Sequence, residues 1–382
     1  MRRVFMPSSM YKRQCNMFLV NLLLCIMILS SVVRCYFLWE PDILSNKPTL
    51  QRVADMFNSY KKPIAFTSSM DKQASYVCVN QSSVMRQIPL KLLTRNTATE
   101  FSTFSDDWID NTPLLREILT EIANKHPQIR HKIKNISICH EIEHSLVLPG
   151  GRDLPMNTPM GKVPSIYDPN TTYTVRMCNC ELLHHDIVVQ YSMPNILNFA
   201  LSGLYQPSTV KKMVYIPAIE YDFDPFHKKR QLTPITTFNH PTHSRRNEIL
   251  STLWDEGVHT VNYKGIGSKE AMMALYDSNA ILINIHQTPH HHTLEELRLL
   301  PALLRGLVIV AEESPLIKSV PYSDFIIWTS VDDMPSRVLD VITNYEAYFE
   351  KFFGSNSTLP CVLIDMRTKA FLDMENQVLG LI

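Results

Sequence analysis

A chain of 382 residues with 45% hydrophobic and 19% charged content has the composition of a globular protein and room for two modest domains, which excludes a mainly disordered chain. With 37 basic and 37 acidic residues the formal net charge is zero, so electrostatics give no ground for a nucleic-acid partner.

Arg2, Arg3, Lys12 and Arg13 precede Met17 to Val33, an uncharged stretch rich in Leu, Ile, Met and Val whose apolar character is interrupted only by Asn21, Ser30 and Ser31. Such a segment is a signal peptide or a short membrane anchor. Ser31-Val32-Val33 lacks the small residue wanted before a cleavage site, and the apolar run is long for a signal-peptide core, which favours an uncleaved type II anchor. The reading is a cytoplasmic tail at 1–16, a signal anchor at 17–35 and a stem at 36–62, with the remainder in the lumen of the ER or Golgi. Sequons at Asn80, Asn135, Asn170 and Asn356 are in keeping with a glycoprotein on that side. Past the anchor lie five cysteines, Cys78, Cys139, Cys178, Cys180 and Cys361. Disulfides are expected, with at least one cysteine free or bridging to another chain. Cys178-Asn179-Cys180 does not have zinc-site spacing.

The first strand expected is Ile64-Ala65-Phe66. Leu114, Leu115, Ile118, Leu119 and Ile122 predict a helix from Leu114 to Lys125. Ile136 to Cys139 reads as a strand delivering His140, Glu141, Glu143 and His144 at its end, and 149–172, rich in Pro, Gly, Asn and Asp, as a long loop. Asp186 to Tyr191 and Met213 to Pro217 are strands, with a helix from Ile196 between them. Glu220 to Pro234 reads as a linker between an N-terminal domain at 63–222 and a C-terminal domain at 232–354. In the second domain strands at 235–238, 258–263, 280–285, 307–311 and 325–328 alternate with helices at 245–254, 269–276, 293–305 and 335–353. That alternation predicts a parallel, doubly wound sheet. Residues 355–382 read as a C-terminal tail.

The most informative stretch runs from Asn284 to Arg298, a polar loop between the strand at 280–285 and the following helix. In open parallel sheets ligands sit beyond the carboxyl ends of strands and against helix N-termini, where this loop falls. Thr293 and Glu296 have the spacing of a capping box. Alternatively Glu295 or Glu296 accepts hydrogen bonds from paired sugar hydroxyls, for which a carboxylate offers two acceptor oxygens and no donor. Pro301 falls inside the helix, at a cost of ~3 kcal/mol in an ordinary helix interior. Of His286, His290, His291 and His292, His286 or His290 could serve as a phosphate ligand or as a base, the alternative being solvated loop histidines. Three consecutive histidines converge poorly on one ion, so no metal site is assigned. Arg245 and Arg246 open a helix where cations oppose the macrodipole, a conflict that a bound anion would relieve.

On Arg245-Arg246-Asn247-Glu248-Ile249-Leu250, on 277–286, and on Leu294-Glu295-Glu296-Leu297-Arg298 continuing to Gly306-Leu307-Val308-Ile309-Val310, the second half resembles GT-B glycosyltransferases of the group 1, spore-coat type. Ser192 to Asn195 and Met213 to Pro217 are similar to the end of that family's N-terminal domain. The resemblance covers about 186–353. It implies an α/β fold of two Rossmann-like doubly wound domains behind the anchor, and transfer of a sugar from a nucleotide-sugar to a glycan or protein hydroxyl, with no bound metal and no cofactor beyond that co-substrate. The donor side would be formed by Arg245, Arg246, Asn284, His286, His290, Thr293, Glu295 and Glu296, and the base drawn from Glu141, Glu143 or His144. Many relatives place a glutamate five residues before the glycine matching Gly306, where this chain has Pro301. Two alternatives follow: a catalytically inactive glycan-binding or scaffolding protein of the same fold, and a metal-dependent GT-A transferase using Asp222 and Asp224.

Overall fold

The computed structural model describes residues 75–79, 85–89 and 113–382, apart from 148–157, 165–169, 171, 178–179, 181–183, 227–229, 239–243 and 290–291, with the backbone alone for β1 (Ser75–Val79), β2 (Met85–Pro89) and the strand at 158–164. The anchor at 17–35, the stem and the strand expected at 64–66 lie outside these residues. Among the described residues no helix is long and apolar enough to cross a membrane.

Two parallel sheets organise the chain from Arg52 to Ile382, which forms one compact unit. The first sheet joins β3 (Ile138–Glu141), β7 (Ile187–Gln190) and β8 (Met213–Tyr215), with β7 central. All four residues of β7 are buried: Ile187 and Val189 share a core with α1 (Pro113–Lys125), while Val188 belongs to the main core. That two-sided burial, with period 2, is why the strand reads as an unbroken hydrophobic run. The second sheet has the order β10-β9-β11-β12-β13, from β9 (Ile235–Thr236), β10 (Val261–Asn262), β11 (Ile281–Asn284), β12 (Val308–Glu312) and β13 (Ile327–Thr329), all parallel. The chain leaves β9 to one side for β10 and crosses back for β11, so the topological switch point lies between β9 and β11.

The connecting helices are α2 (Met193–Leu201) between β7 and β8, α3 (Arg245–Asp255), α4 (Lys269–Ser278), α5 (Glu296–Leu304), α6 (Met334–Thr343), α7 (Tyr345–Phe353) and α8 (Leu359–Leu381). The single helix expected over 335–353 is two helices, because the backbone turns at Asn344 (φ −112°, ψ 27°), whose side chain bonds back to Asp340. The expected tail at 355–382 is largely the 23-residue helix α8. Its Ala370, Met374 and Val378 pack with Leu115, Ile118 and Ile122 of α1, and Glu375 receives Lys125 at 2.8 Å and His126 at 2.6 Å. The helix therefore returns the C-terminus to the first sheet.

The loop expected at 149–172 contains β5 (Thr158–Pro164), which pairs with β6 (Thr172–Met177) and through it with β4 (Leu146–Val147) in a small antiparallel sheet. Pro159, Gly161 and Pro164 disguise the strand. They are tolerated because β5 is an edge strand and its register shifts between Pro159 and Gly161. Cys139 and Cys180 form a disulfide between β3 and the segment after β6, and Cys361 is disulfide-bonded as well. Asn135, Asn170 and Asn356 are exposed.

The segment expected as a linker is packed. Tyr221 and Phe223 are buried, the Asp224 amide bonds Leu304 O at 3.0 Å, and Arg230 donates to the carbonyls of Arg305 and Gly306. Gly306 ends α5 at φ +80°, with its own amide on Leu303 O (3.0 Å) and that of Leu307 on Ala302 O (3.1 Å). A Cβ there would stand 2.6 Å from Pro225 backbone and side-chain atoms. Left-handed strain and the clash add, so Gly306→Ala is expected to lose roughly 3 kcal/mol of unfolding free energy in urea denaturation; a loss below about 1 kcal/mol would show that Pro225 yields freely.

Candidate functional site

A cavity of about 510 Å³ opens where the two parallel sheets present their carboxyl ends. Ile142 and His144 follow β3, Tyr191 follows β7, Thr237 follows β9, and Glu295, Leu297, Arg298 and Pro301 come from the start of α5. The N-terminal turn of α4 contributes Ser268 and Lys269. This is the switch-point position at which ligands bind in open α/β sheets, and the volume is that of a small-molecule site.

The two adjacent glutamates have opposite surroundings. Glu296 is fully buried and does not line the cavity. Its Oε1 accepts from the Met193 amide at 3.0 Å; its Oε2 accepts from Tyr215 Oη at 2.6 Å and Tyr322 Oη at 3.0 Å. Met193 and Tyr215 belong to the first sheet and its helix, so this carboxyl ties α5 to the other half of the molecule. Burial pushes Glu296 up to about 7, against those hydrogen bonds, which pull it down. The capping box is not formed: α5 begins at Glu296, its N-cap is Glu295, and no side chain caps it. Three tertiary donors hold the Glu296 carboxyl away from the backbone amide of the buried Thr293.

Glu295 faces the cavity and a charge network behind it. Its Oε2 accepts from Asn284 Nδ2 at 3.1 Å and its Oε1 from Arg246 Nη2 at 3.4 Å, while His286 Nδ1 lies 3.0 Å from Oε2. His286 Nε2 meets Glu313 O at 3.3 Å, so both ring nitrogens face acceptors. Burial lowers the His286 pKa, but Glu295 outweighs it and the pKa is raised, which favours the doubly protonated ring.

Arg245 and Arg246 are not free to meet an anion. Arg245 forks onto Glu312, with Nη1 2.9 Å from Oε2 and Nη2 2.5 Å from Oε1, and its Nη1 also reaches His286 O at 2.9 Å. Arg246 donates to Ile285 O at 2.8 Å and stacks 4.4 Å over the Phe238 ring; burial lowers its pKa to about 10. The conflict with the α3 dipole is thus relieved from within, by Glu312 and Glu295, and Ser244 Oγ caps the helix at the Asn247 amide.

Of the three base candidates, the structure brings His144 to the cavity. Burial lowers its pKa to about 4, and its Nδ1 lies 3.1 Å from Tyr191 Oη. Glu141 and Glu143 are not among the lining residues. Glu141 is buried because β3 runs two residues further than expected, and its carboxylate accepts from the Glu143 and Cys180 amides. Glu143 lies 3.8 Å from Arg176 Nη2. His290 lies outside the described residues. The His292 ring lies tilted against that of Tyr173, with centroids 4.5 Å apart, and its carbonyl accepts from Asn198. Asp224 pairs with Arg305 at 3.5 Å, and the same guanidinium lies 3.5 Å from Asp222 O, at the far end of α5 from the cavity. Among the described residues no cluster of His, Cys, Asp and Glu is arranged to hold a metal. Sequence reasoning did not single out Tyr191, Lys269 or Arg298; Arg298, three residues after Glu295 and thus on the same helical face, carried the signal.

No family model matches the chain. An uncharacterized protein of Acanthamoeba polyphaga mimivirus is 26% identical over 144 residues, which make up 37% of this chain and 50% of that protein. The chain thus spans half the length of that relative.

Two buried groups give opposite pH slopes. The folded state holds the Glu296 proton more tightly than an unfolded carboxyl of pKa 4.5, so its contribution is full below 4.5 and is lost as pH rises through about 7. The contribution of His144 is full above 6.5 and is lost as pH falls toward 4. Glu296→Gln is expected to remove the first slope, making stability between pH 4.5 and 7 rise more steeply with pH than in the parent protein, as read by urea denaturation at stepped pH. Glu296→Ala leaves three buried donors without an acceptor, at about 1–3 kcal/mol each, and should lose at least 3 kcal/mol.

Proposed function

We propose that the chain is a glycosyltransferase of the GT-B type, moving a sugar from a nucleotide-sugar donor to a glycan or protein hydroxyl in the secretory pathway. The carrying observation is the 510 Å³ cavity at the carboxyl ends of two parallel sheets, with Glu295 at the start of α5 on its wall. In this reading the two sheets are the cores of the two Rossmann-like domains, and the donor lies against the β9–β11 switch point.

Glu295 then accepts from donor hydroxyls. Its two oxygens offer about four lone-pair sites. Asn284, Arg246 and His286 bond to these sites and fix the carboxylate in place on the cavity wall. His144, neutral at pH 7 because burial holds its pKa near 4, takes the proton of the acceptor hydroxyl as the new glycosidic bond forms and the bond from the sugar to the diphosphate breaks, releasing the nucleoside diphosphate. Its weak basicity requires that transfer to be late, when the hydroxyl has become acidic. In the family it resembles, such chemistry needs orientation and charge neutralisation more than a protein-bound metal.

A second reading, a glycan-binding protein that kept the fold and lost the chemistry, is favoured by Pro301. The position at which many relatives place a glutamate lines the cavity here without a carboxylate.

Thermal-shift measurements with a panel of nucleoside diphosphates separate the two: stabilisation by one of them supports the transferase, and none at millimolar concentration removes it. Glu295→Gln keeps the side-chain shape and removes the charge. It is expected to weaken the stabilising nucleotide about 10-fold, or roughly 1.4 kcal/mol, and an unchanged affinity would take Glu295 out of the donor site.

A further inference from the structure

We infer that Arg298 is the cation that receives a ligand oxyanion in this cavity, in place of Arg245 and Arg246. The inference rests on the transferase reading for the identity of the anion, the diphosphate of the donor, but not for the site itself.

Arg245 and Arg246 are held by Glu312 and Glu295. Arg298 is placed differently. It is half-buried on the cavity wall, its Nη1 donates to the amide oxygen of Asn284 at 2.7 Å, and its guanidinium lies 5.8 Å from the centroid of Phe238. Among the described residues no carboxylate pairs with it. An amide oxygen and an aromatic face orient a guanidinium without neutralising it, and a guanidinium has five N–H donors, of which this arrangement commits one. The charge reaches across the cavity: it adds to the burial that lowers the His144 pKa and works against the burial that raises that of Tyr276. Behind it, Arg245, Arg246 and His286 share Glu312 and Glu295. On the cavity wall Glu220 is the carboxylate besides Glu295, next to Tyr221, whose ring Lys269 faces. An orienting contact with no counter-ion suits a group that must accept charge from a ligand and release it when the product leaves. A phosphate or diphosphate, with oxygens spaced for a planar fork, matches that donor set.

The test is isothermal titration calorimetry on the full-length protein with UDP, GDP, uridine, guanosine and inorganic pyrophosphate, against Arg298→Gln. Glutamine can still donate to Asn284 and cover Phe238, so the charge alone is removed. Expected is a 10- to 100-fold loss for the bound diphosphate and for pyrophosphate, with nucleoside affinity within about threefold, and a flatter salt dependence in the variant. A variant that keeps its diphosphate affinity within threefold overturns the inference. Should that variant fail to fold, Arg298→Lys carries the test: diphosphate affinity several-fold lower supports the fork, and unchanged affinity overturns it. Nucleotide binding indifferent to position 298 leaves the transferase standing and removes the anion site. Pyrophosphate binding lost in the variant, with no nucleotide bound more tightly than pyrophosphate, keeps the anion site and removes the transferase. No anion bound by the parent protein removes both.

Discussion

Two carboxylates at consecutive positions, both withdrawn from bulk water, sit at the first turn of α5, and much of the architecture follows from satisfying them. A helix N-terminus is where negative charge is best tolerated, because unpaired amides and the macrodipole favour it. That alone does not satisfy two buried carboxyls. Since residues i and i+1 point about 100° apart on a helix, the two side chains diverge. Glu296 points into the first half and collects Met193, Tyr215 and Tyr322. Glu295 points to the cavity and collects Asn284, Arg246 and His286. One turn of helix therefore fixes the sheet-to-sheet contact and the back wall of the cavity together.

What was legible in the sequence is what local pattern determines. The apolar runs at β7, β11 and β12, the helical spacing in α1 and the glycine after α5 each reflect an element's own burial or backbone geometry. What was not legible depended on partners far along the chain. The capping box is a sound local inference from Thr293 and Glu296, but three donors, the nearest in sequence 26 residues away, compete for the same carboxyl and win. The arginine pair behaves the same way. Its counter-charges lie 67 and 49 residues downstream, at Glu312 and Glu295, so the local conflict with the helix dipole points to an anion that the fold itself supplies. The tail at 355–382 is a different case: Leu359, Leu363, Met366, Ala370, Met374 and Val378 fall at helical spacing, and the signal of a buried face was present.

The site residues divide along the same line. Glu295 and His144 follow strand ends and were identifiable by position. Tyr191, directly after β7, and Arg298, on the Glu295 face of α5, carried the same kind of signal, whereas Lys269 comes to the cavity only through the way α4 is set against the sheets.

Pro301 connects these points. It has no amide hydrogen, so the carbonyl of Leu297 has no donor four residues on, and both residues line the cavity. A glutamate at that position would add a second carboxylate to a wall where Glu295 is already balanced by Arg246 and His286, and it would lie one helical turn from Arg298, within reach of an ion pair. With proline there, that pairing is absent and Arg298 keeps its charge for something else. The proline is thus also what leaves Arg298 without a carboxylate one turn along its own helix, on a wall where Lys269 is the other cation and Glu220 and Glu295 are the carboxylates.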